Sequence, residues 1–247
     1  PYTSSAASDV YKRQDLLWVV AVAVLVLLAA HAIVMAALAK KDLDRPTAEG
    51  RRVVRHESID RIFHWLMAAS IFVLIFTGTA PILGLRIAWL NIHWISGLLL
   101  TFLIAAHIIR SMFWQDFKSM LLTPKDFSEP FDSTSKPGKY YFEQKGLHWA
   151  ATVVVLAVIV TGVLMFMQID TPFWERTNSM PEDQLGLVFL LHGLSTLALV
   201  ALASTHIYFA LRPEKIFYTR SMLAGWMSED EMAANHDPAK WTPKEAD

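Results

Sequence analysis

Two histidines in the C-terminal third of the sequence are spaced so that a helix would carry both on one side. His192 and His206 are 14 residues apart, which in an α-helix corresponds to about 21 Å along the axis and about 40° less than four full turns. Two haems stacked inside one helical bundle need such a spacing, because each iron takes a nitrogen ligand from the same face at its own depth. The pattern therefore predicts ligation of two haems, and two histidines packed in an ordinary helical core are the alternative interpretation.

Five apolar segments are long enough to hold such histidines within a membrane. Hydrophobic residues make up 54% of the 247 residues, which is more than a soluble domain usually contains. A hydrocarbon core needs about 20 apolar residues to cross it, and the lack of water there requires a helix. The predicted spans are residues 16–39, 62–83, 87–109, 147–167 and 185–211.

The charged residues indicate an orientation and exclude one class of partner. Of the 22 Lys and Arg, 18 fall within residues 40–61, 110–145 and 212–244. The positive-inside rule therefore places the N-terminus outside and the C-terminus in the cytoplasm, in a bacterial inner membrane. The 23 Asp and Glu balance the basic residues, which argues against nucleic-acid binding. The sequence has no Cys, which excludes thiolate-held iron–sulfur clusters and covalently attached haem.

Depth in the membrane predicts partners for the two spaced histidines. Counted from the outer side, His192 is the eighth residue of its span and His93 is the seventh residue of its span. An outer haem between His93 and His192 follows from this match. At the inner level, three partners for His206 stay open, namely His64, His107 and His148.

Several of the remaining histidines have more than one interpretation. His148 precedes a tryptophan, and this pair fits an interfacial aromatic belt better than it fits ligation. For His107, haem ligation, a proton relay and a belt position are equally open. His31 is expected to be packed or snorkelling, whereas His56 and His236 lie in polar segments and are expected to be solvated.

Small residues inside the spans fit a bulky flat cofactor. Four glycines fall near the predicted haem levels, namely Gly78, Gly97, Gly162 and Gly193. A macrocycle between helices needs such room, although small residues also serve ordinary close packing of helices.

Four short segments occur in the order found in a known family of membrane cytochromes. They are residues 59–65 (Ile-Asp-Arg-Ile-Phe-His-Trp), residues 93–97 (His-Trp-Ile-Ser-Gly), the loop 138–145 with Gly-Lys-Tyr and Gln-Lys, and residues 192–208, which begin with His-Gly and end with Ser-Thr-His-Ile-Tyr. Together they resemble the gamma subunit of respiratory formate dehydrogenase over about residues 52–230. They resemble the cytochrome b subunits of nickel–iron hydrogenases and thiosulfate reductases more loosely.

This resemblance implies a four-helix cytochrome with two b haems. Carried over by motif, His64 and His206 would hold the inner haem, and His93 and His192 would hold the outer haem. The quinone site of the family lies on the cytoplasmic side, near the last histidine and the loop before the third bundle helix.

The quinone loop is also where this sequence departs from the family. After Lys-Tyr the family usually has Asn and a small residue, whereas this chain has Tyr141, Phe142 and Glu143. The candidate quinone contacts are Tyr141, Glu143, Gln144 and His206. The candidate proton relays are Glu143, His107 and His148, because these groups titrate or form hydrogen bonds at that depth.

The predicted fold is an all-α integral membrane helical bundle, with a four-helix di-haem core and one extra N-terminal transmembrane helix. Residues 1–14 have no apolar run and are expected to be non-native or disordered. The further parts are the extra transmembrane helix at 15–40, a basic cytoplasmic loop at 41–61, the di-haem cytochrome b domain at 62–211, and a cytoplasmic tail with a short interfacial helix at 212–247.

These features predict a membrane-anchor cytochrome b subunit of a respiratory oxidoreductase, most consistent with a formate dehydrogenase. It would pass electrons from an extracytoplasmic iron–sulfur subunit, fed by a molybdenum- or tungsten-type catalytic subunit, through two b haems to menaquinone or ubiquinone. The complex could form a higher oligomer. The alternative is the cytochrome b subunit of a hydrogenase or a thiosulfate or polysulfide reductase, and a non-redox transporter or scaffold is a more distant one.

Overall fold

The structure is a computed structural model that describes residues 19, 22–24, 26–34, 50–132 and 135–245. Residues 1–14 lie outside the described residues, and so does much of the predicted first span. Within that span the structure has a short apolar helix, α1 (Val22–Val34). The extra N-terminal transmembrane helix therefore remains a prediction.

The described residues are mostly helical, with two short strands. The longer helices are α2 (Ser58–Thr79), α3 (Trp89–Trp114), α4 (Phe142–Phe166) and α5 (Glu182–Ala210). Two 3₁₀ helices, Phe117–Met120 and Asp126–Phe131, lie between α3 and α4. The elements after α5 are α6 (Ile216–Ala224), strand β2 (Trp226–Ser228) and α7 (Glu229–Asn235), and strand β1 (Arg52–Val54) precedes α2.

The four longer helices are each apolar and long enough to cross a membrane, which confirms four of the predicted spans. Only 11% of the apolar window of each helix is buried within the chain. So much exposed apolar surface would be unfavourable in water, whereas in a membrane it contacts lipid. The chain is therefore a membrane protein.

The chain forms two compact units. The first, called here the α5 unit, contains residues 153–209 and the described residues before position 44. The second, called here the hairpin unit, contains residues 50–152 and 210–245. Helix α4 begins in the hairpin unit and ends in the α5 unit.

In the hairpin unit, α2 and α3 pack as an antiparallel pair that is joined by polar contacts. Near the start of α2, the carboxylate of Asp60 accepts hydrogen bonds from Arg110, at 2.6 Å, and from Gln115, at 2.6 Å. Because these groups are paired, α2 and α3 extend beyond the predicted apolar segments at this end to include Asp60 and Arg110, and Gln115 caps α3. At its other end α2 stops at Thr79, with Ala80 as its cap. The next residue, Pro81, has no backbone N–H and cannot continue the helical hydrogen bonds.

The segment after α5 folds back onto the segment before α2. Strand β2 pairs antiparallel with β1, with Val53 opposite Met227. Val53, Phe217 and Met227 form a small buried core there. Helix α7 begins with a capping box in which Ser228 and Glu231 bind each other's backbone N–H groups. This β-ribbon is a departure from the all-α prediction, and the tail has two short helices rather than one.

The α5 unit contains the last part of α4, the helix α5 and the described part of α1. The ring of His31 in α1 lies 2.6 Å from the hydroxyl of Tyr208 in α5, measured from Nδ1. His31 is therefore packed against another helix by a hydrogen bond, as one of the two predicted alternatives requires.

Candidate haem site

His93 is held by the end of the preceding helix. Its Nδ1 lies 2.9 Å from the hydroxyl of Thr77 in α2. Thr77 is 1% exposed, and its hydroxyl also donates to the carbonyl of Val73 at 2.7 Å. The next residue is Gly78, where an added Cβ would lie 3.5 Å from Cε1 of the His93 ring. The glycine therefore lets the imidazole lie directly against the backbone of α2.

His192 in the α5 unit has the same kind of support from α4. Its Nδ1 lies 2.9 Å from the hydroxyl of Thr161, which is 7% exposed. That hydroxyl donates to the carbonyl of Ala157 at 2.7 Å. The next residue is again a glycine, Gly162, where an added Cβ would lie 3.4 Å from Cε1 of the ring.

Both imidazoles fit axial ligation of a haem iron. Imidazole nitrogen is the axial ligand that haem proteins use most often. The group that forms a hydrogen bond with the other ring nitrogen fixes the orientation of a ligating histidine. In both sites Nδ1 contacts a threonine hydroxyl, so Nε2 is the nitrogen that would bind iron. Two of the four glycines that the sequence pointed to, Gly78 and Gly162, lie beside these rings.

The two candidate ligands of the inner haem, His64 and His206, each lie near one end of a helix. His64 is in the second turn of α2, and its ring meets that of Trp65 edge to face at 5.2 Å. The indole of Trp65 donates to the carbonyl of Met222 at 3.2 Å. His206 is in the last turns of α5, 14 residues after His192. The pairing of His64 with His206, and of His93 with His192, remains a prediction.

The predicted quinone loop leads into the first turn of α4. Gln144 accepts a hydrogen bond from the backbone N–H of Tyr141 at 3.1 Å, which closes this first turn. The hydroxyl of Tyr141 donates to the carbonyl of Asn235 in α7 at 2.7 Å. Burial raises the pKa of Tyr141, so this residue acts as a neutral donor. The Nζ of Lys215 lies 4.6 Å from the Tyr141 ring, and the carboxylate of Glu143 is electrostatically close to both groups.

An ion pair that the sequence analysis did not find anchors the start of α4. Lys145 lies 2.7 Å from Asp126, and both side chains are largely buried. Burial disfavours the charged form of Asp126, but hydrogen bonds from Lys145 and Thr123 outweigh it and lower the pKa of this carboxyl. The two relay candidates in α3 and α4, His107 and His148, are each half-buried. Their predicted roles remain predictions.

The largest difference from the sequence analysis is a buried arginine surrounded by aromatic rings, called here the arginine cluster. Its members are Arg55, Tyr140, Tyr218, His236 and Trp241. Arg55 is 3% exposed, and its guanidinium donates to the carbonyl of Lys139 at 2.8 Å and lies 4.5 Å from the Tyr218 ring. Burial lowers the pKa of Arg55 and raises that of Tyr218. No motif pointed to this cluster, because its members are distant in sequence.

Of the two histidines that were expected to be solvated, His236 is buried, so the prediction was wrong for this residue, and His56 is partly exposed. His236 is 0% exposed, and its Nδ1 donates to the carbonyl of Gly138 at 2.6 Å. Its Nε2 lies 3.0 Å from Arg55 and 3.1 Å from the hydroxyl of Tyr218. Burial and the charge of Arg55 lower the pKa of His236 to about 4, and burial lowers the pKa of His56 to about 2. Both rings are therefore neutral near pH 7.

The four spans and their histidines define a membrane cytochrome b, and comparison with known proteins gives the family. Residues 55–225 match the family model described as prokaryotic cytochrome b561. The matched region is more than half of the chain, and the chain belongs to this family. Membership implies a b-type haem, which fits the histidine sites described above.

Two relatives have related descriptions. The chain is 27% identical over 213 residues to the "Formate dehydrogenase, cytochrome b556 subunit" of Haemophilus influenzae, which covers 78% of this chain and 84% of that protein. It is 25% identical over 213 residues to the "Formate dehydrogenase, cytochrome b556(fdo) subunit" of Escherichia coli strain K12, which covers 76% of this chain and 91% of that protein. These names agree with the resemblance found in the sequence motifs.

Proposed function

We propose that the protein is the membrane-anchor cytochrome b subunit of a respiratory formate dehydrogenase, which passes electrons from an iron–sulfur subunit to membrane quinone. The observation that carries this proposal is the matching support of His93 and His192, each held through Nδ1 by a buried threonine and packed against a glycine. The family and the names of the relatives support the same conclusion. The molybdenum- or tungsten-type catalytic subunit and the iron–sulfur subunit are expected on the extracytoplasmic side.

Four histidines of this chain would hold two b haems. His93 and His192 would hold the outer haem through Nε2, and His64 and His206 would hold the inner one. Bound haem supplies one-electron transfer, while the protein controls axial ligation, burial and access. The 14-residue spacing in α5 places His192 and His206 about 21 Å apart along the helix axis, so the two ligands lie at different depths.

The cytoplasmic side, where the basic loops are predicted to lie, would bind quinone and supply protons to it. Tyr141, Glu143, Gln144 and His206 are the proposed contacts. The side chain of Gln144 holds the backbone of this loop, and the hydroxyl of Tyr141 is held by α7. Glu143 is exposed and carries a carboxylate that can accept and release a proton, which makes it a proposed relay together with His107 and His148. Electron transfer inwards and proton uptake from the cytoplasm would together generate a membrane potential.

The haem assignment is tested by counting haems in histidine variants of the purified complex. The wild-type chain should give two b haems in a pyridine haemochrome assay. His93→Ala and His192→Ala should each remove one haem, and their difference spectra should show that it is the same one. His31→Ala is the matched control, because it removes an intramembrane histidine outside the proposed sites and should leave both haems. A wild-type chain without haem, or a His93→Ala variant with two, would refute the assignment.

The identity of the partner is tested by the electron donor. In membranes that contain the native complex, formate should reduce the b haems within the turnover time of the enzyme, and a quinone analogue should slow their reoxidation. Reduction of the haems by hydrogen, or by quinol alone, would contradict the formate assignment. The subunits that co-purify with the chain provide a second, independent test.

A further inference from the structure

The supports of His93 and His192 share the same threonine and glycine contacts, although they are built from different parts of the chain. His192 also forms a hydrogen bond with the backbone of Val158. In each site a threonine hydroxyl lies 2.9 Å from Nδ1 of the histidine. In each site that hydroxyl donates to the carbonyl four residues earlier at 2.7 Å and approaches the one three residues earlier, at 3.2 Å for Thr77 and 3.1 Å for Thr161. In each site the residue after the threonine is a glycine, and the imidazole covers it.

This match is more specific than helix packing requires. Threonine in a membrane helix can satisfy its hydroxyl with the carbonyl one turn earlier, and Thr79, Thr101 and Thr152 of this chain do so. Thr77 and Thr161 make this bond and also contact a histidine of the next helix. The two contacts occur in different compact units, so packing of the same element does not account for both. A shared task of His93 and His192 does account for both.

The other hydrogen bonds of these two hydroxyls favour one tautomer of each imidazole. A hydroxyl has one proton and two lone pairs, and in Thr77 and Thr161 the proton is donated to backbone carbonyls. The oxygen therefore accepts from the histidine, so Nδ1 carries the proton and Nε2 carries the lone pair. Since both threonines are almost fully buried, water does not compete for this bond. A lone pair on Nε2 is what binding to iron requires.

We propose that Thr77 and Thr161 are positioning residues, each of which holds its histidine in the Nδ1-protonated tautomer and raises the basicity of the Nε2 ligand. This proposal rests on the proposed function, because it takes His93 and His192 as haem ligands. A more basic axial imidazole stabilises oxidised iron over reduced iron. The two threonines therefore lower the reduction potential of the haem that these histidines hold.

The test is redox titration of the purified complex with a valine and a serine at each position. Thr77→Val keeps the shape of the side chain but removes the acceptor, so the haem should remain bound while its midpoint potential rises. A tenfold increase in the ratio of reduced to oxidised haem at fixed ambient potential would correspond to about 59 mV. Thr77→Ser keeps the hydroxyl and should restore the wild-type potential. Thr161→Val should shift the potential in the same direction but by less, because His192 keeps its hydrogen bond to the backbone of Val158. Thr161→Ser should keep the wild-type potential.

Two controls separate the effect of the hydroxyl from a general effect on packing. Thr79→Val in α2 and Thr152→Val in α4 remove hydroxyls that are bonded to the backbone of their own helix, and neither should shift a midpoint potential. The ferric low-spin EPR signal of the affected haem should change in Thr77→Val and Thr161→Val and not in the control variants. This signal is independent of turnover.

The outcomes distinguish this proposal from the proposed function. Unchanged potentials and EPR signals in Thr77→Val and Thr161→Val, with two haems bound, would overturn the role of the threonines and leave the ligands intact. Equal potential shifts in the serine and valine variants would also overturn it, because the hydroxyl would then not be the cause. If His93 and His192 are not haem ligands, His93→Ala and His192→Ala would instead retain two bound haems.

Discussion

The α2–α3 pair and the arginine cluster belong to the same compact unit, yet they are stabilised in different ways. Along α2 and α3 only a few residues are buried, such as Thr77 and Leu100, and most large apolar side chains are exposed. In the cluster the buried groups are polar or charged, with Arg55 3% and His236 0% exposed. The helix pair therefore depends on lipid and cofactor around it, whereas the cluster depends on hydrogen bonds within the chain.

Because of this difference, the two regions should respond differently to pH and to polar substitutions. An apolar surface in lipid is insensitive to pH and to single polar substitutions, except at the few points where side chains bond across the helices. A buried polar network is sensitive to the protonation and the identity of each member. The two regions should therefore fail independently, and the following experiments test that independence.

The largest effect is expected from acid on the arginine cluster. His236 is neutral in the folded protein, with a pKa of about 4, whereas in the unfolded chain it takes up a proton near pH 6.5. As the pH falls from 6.5 to 4 the unfolded state therefore binds more protons, and the free energy of unfolding of the tail falls by up to roughly 3 kcal/mol. His56, with a pKa of about 2, acts in the same direction.

Hydrogen–deuterium exchange of the full chain in nanodiscs, corrected for intrinsic exchange rates, would measure this effect. Protection of residues 226–236 should decrease between pH 7 and 4.5, and protection of residues 89–114 should not. His236→Gln should reduce the pH dependence and leave the part due to His56. Equal loss of protection in both regions would show that the two are not independent.

A slightly smaller effect is expected from Arg55→Met. This substitution keeps the length of the side chain but leaves the carbonyl of Lys139 and Nε2 of His236 without their strongest donor. Loss of hydrogen bonds from a buried charged group should destabilise the tail by about 2 kcal/mol. Limited proteolysis should then cut the tail faster, with haem content unchanged. Arg51→Met is the control, because Arg51 is 61% exposed and its ion pairs are at the surface. Cleavage of the Arg55→Met tail at the wild-type rate would contradict the stabilising role of the arginine cluster.

Asp60→Asn tests the polar contact within the helix pair. Asp60 and Arg110 are 19% and 18% exposed in their side chains, so their ion pair is only partly screened. Its loss should cost about 1 kcal/mol and lower Tm by about 2–4 °C, measured by thermal unfolding in detergent. Asp116→Asn in the following loop should leave Tm unchanged. An effect on tail proteolysis as large as that of Arg55→Met would break the proposed separation.

The smallest effect is expected from Gly162→Ala. The added Cβ would lie 3.4 Å from Cε1 of His192, which is van der Waals contact, and alanine favours a helix more than glycine does. Haem content should therefore stay the same, and the free energy of unfolding should change by no more than a few tenths of a kcal/mol. Gly162→Val adds methyl groups that meet the ring and should reduce haem content. The haemochrome assay measures both, and retention of full haem content by the valine variant would show that the glycine is not needed for the approach of the ring.

The sequence alone determined the features that depend on local composition and helix geometry. Hydropathy predicted the four spans, because a membrane helix must be apolar along its own length. The 14-residue spacing of His192 and His206 and the motif order pointed to a haem-binding cytochrome, and the family match confirms the class. The glycines beside His93 and His192 were also identified, since their positions in the spans were informative. The repeated Thr-Gly pair was a further signal in the sequence, but it was not recognised there.

Only the tertiary structure decided which side chains meet. The contacts between Thr77 and His93, between Thr161 and His192, and between Arg55 and His236 join residues 16, 31 and 181 positions apart. No local pattern encodes such pairs, because their energies arise when separate helices and the tail come together. For the same reason His236, a polar residue in a polar segment, is buried when the tail returns to strand β1, which is a long-range event.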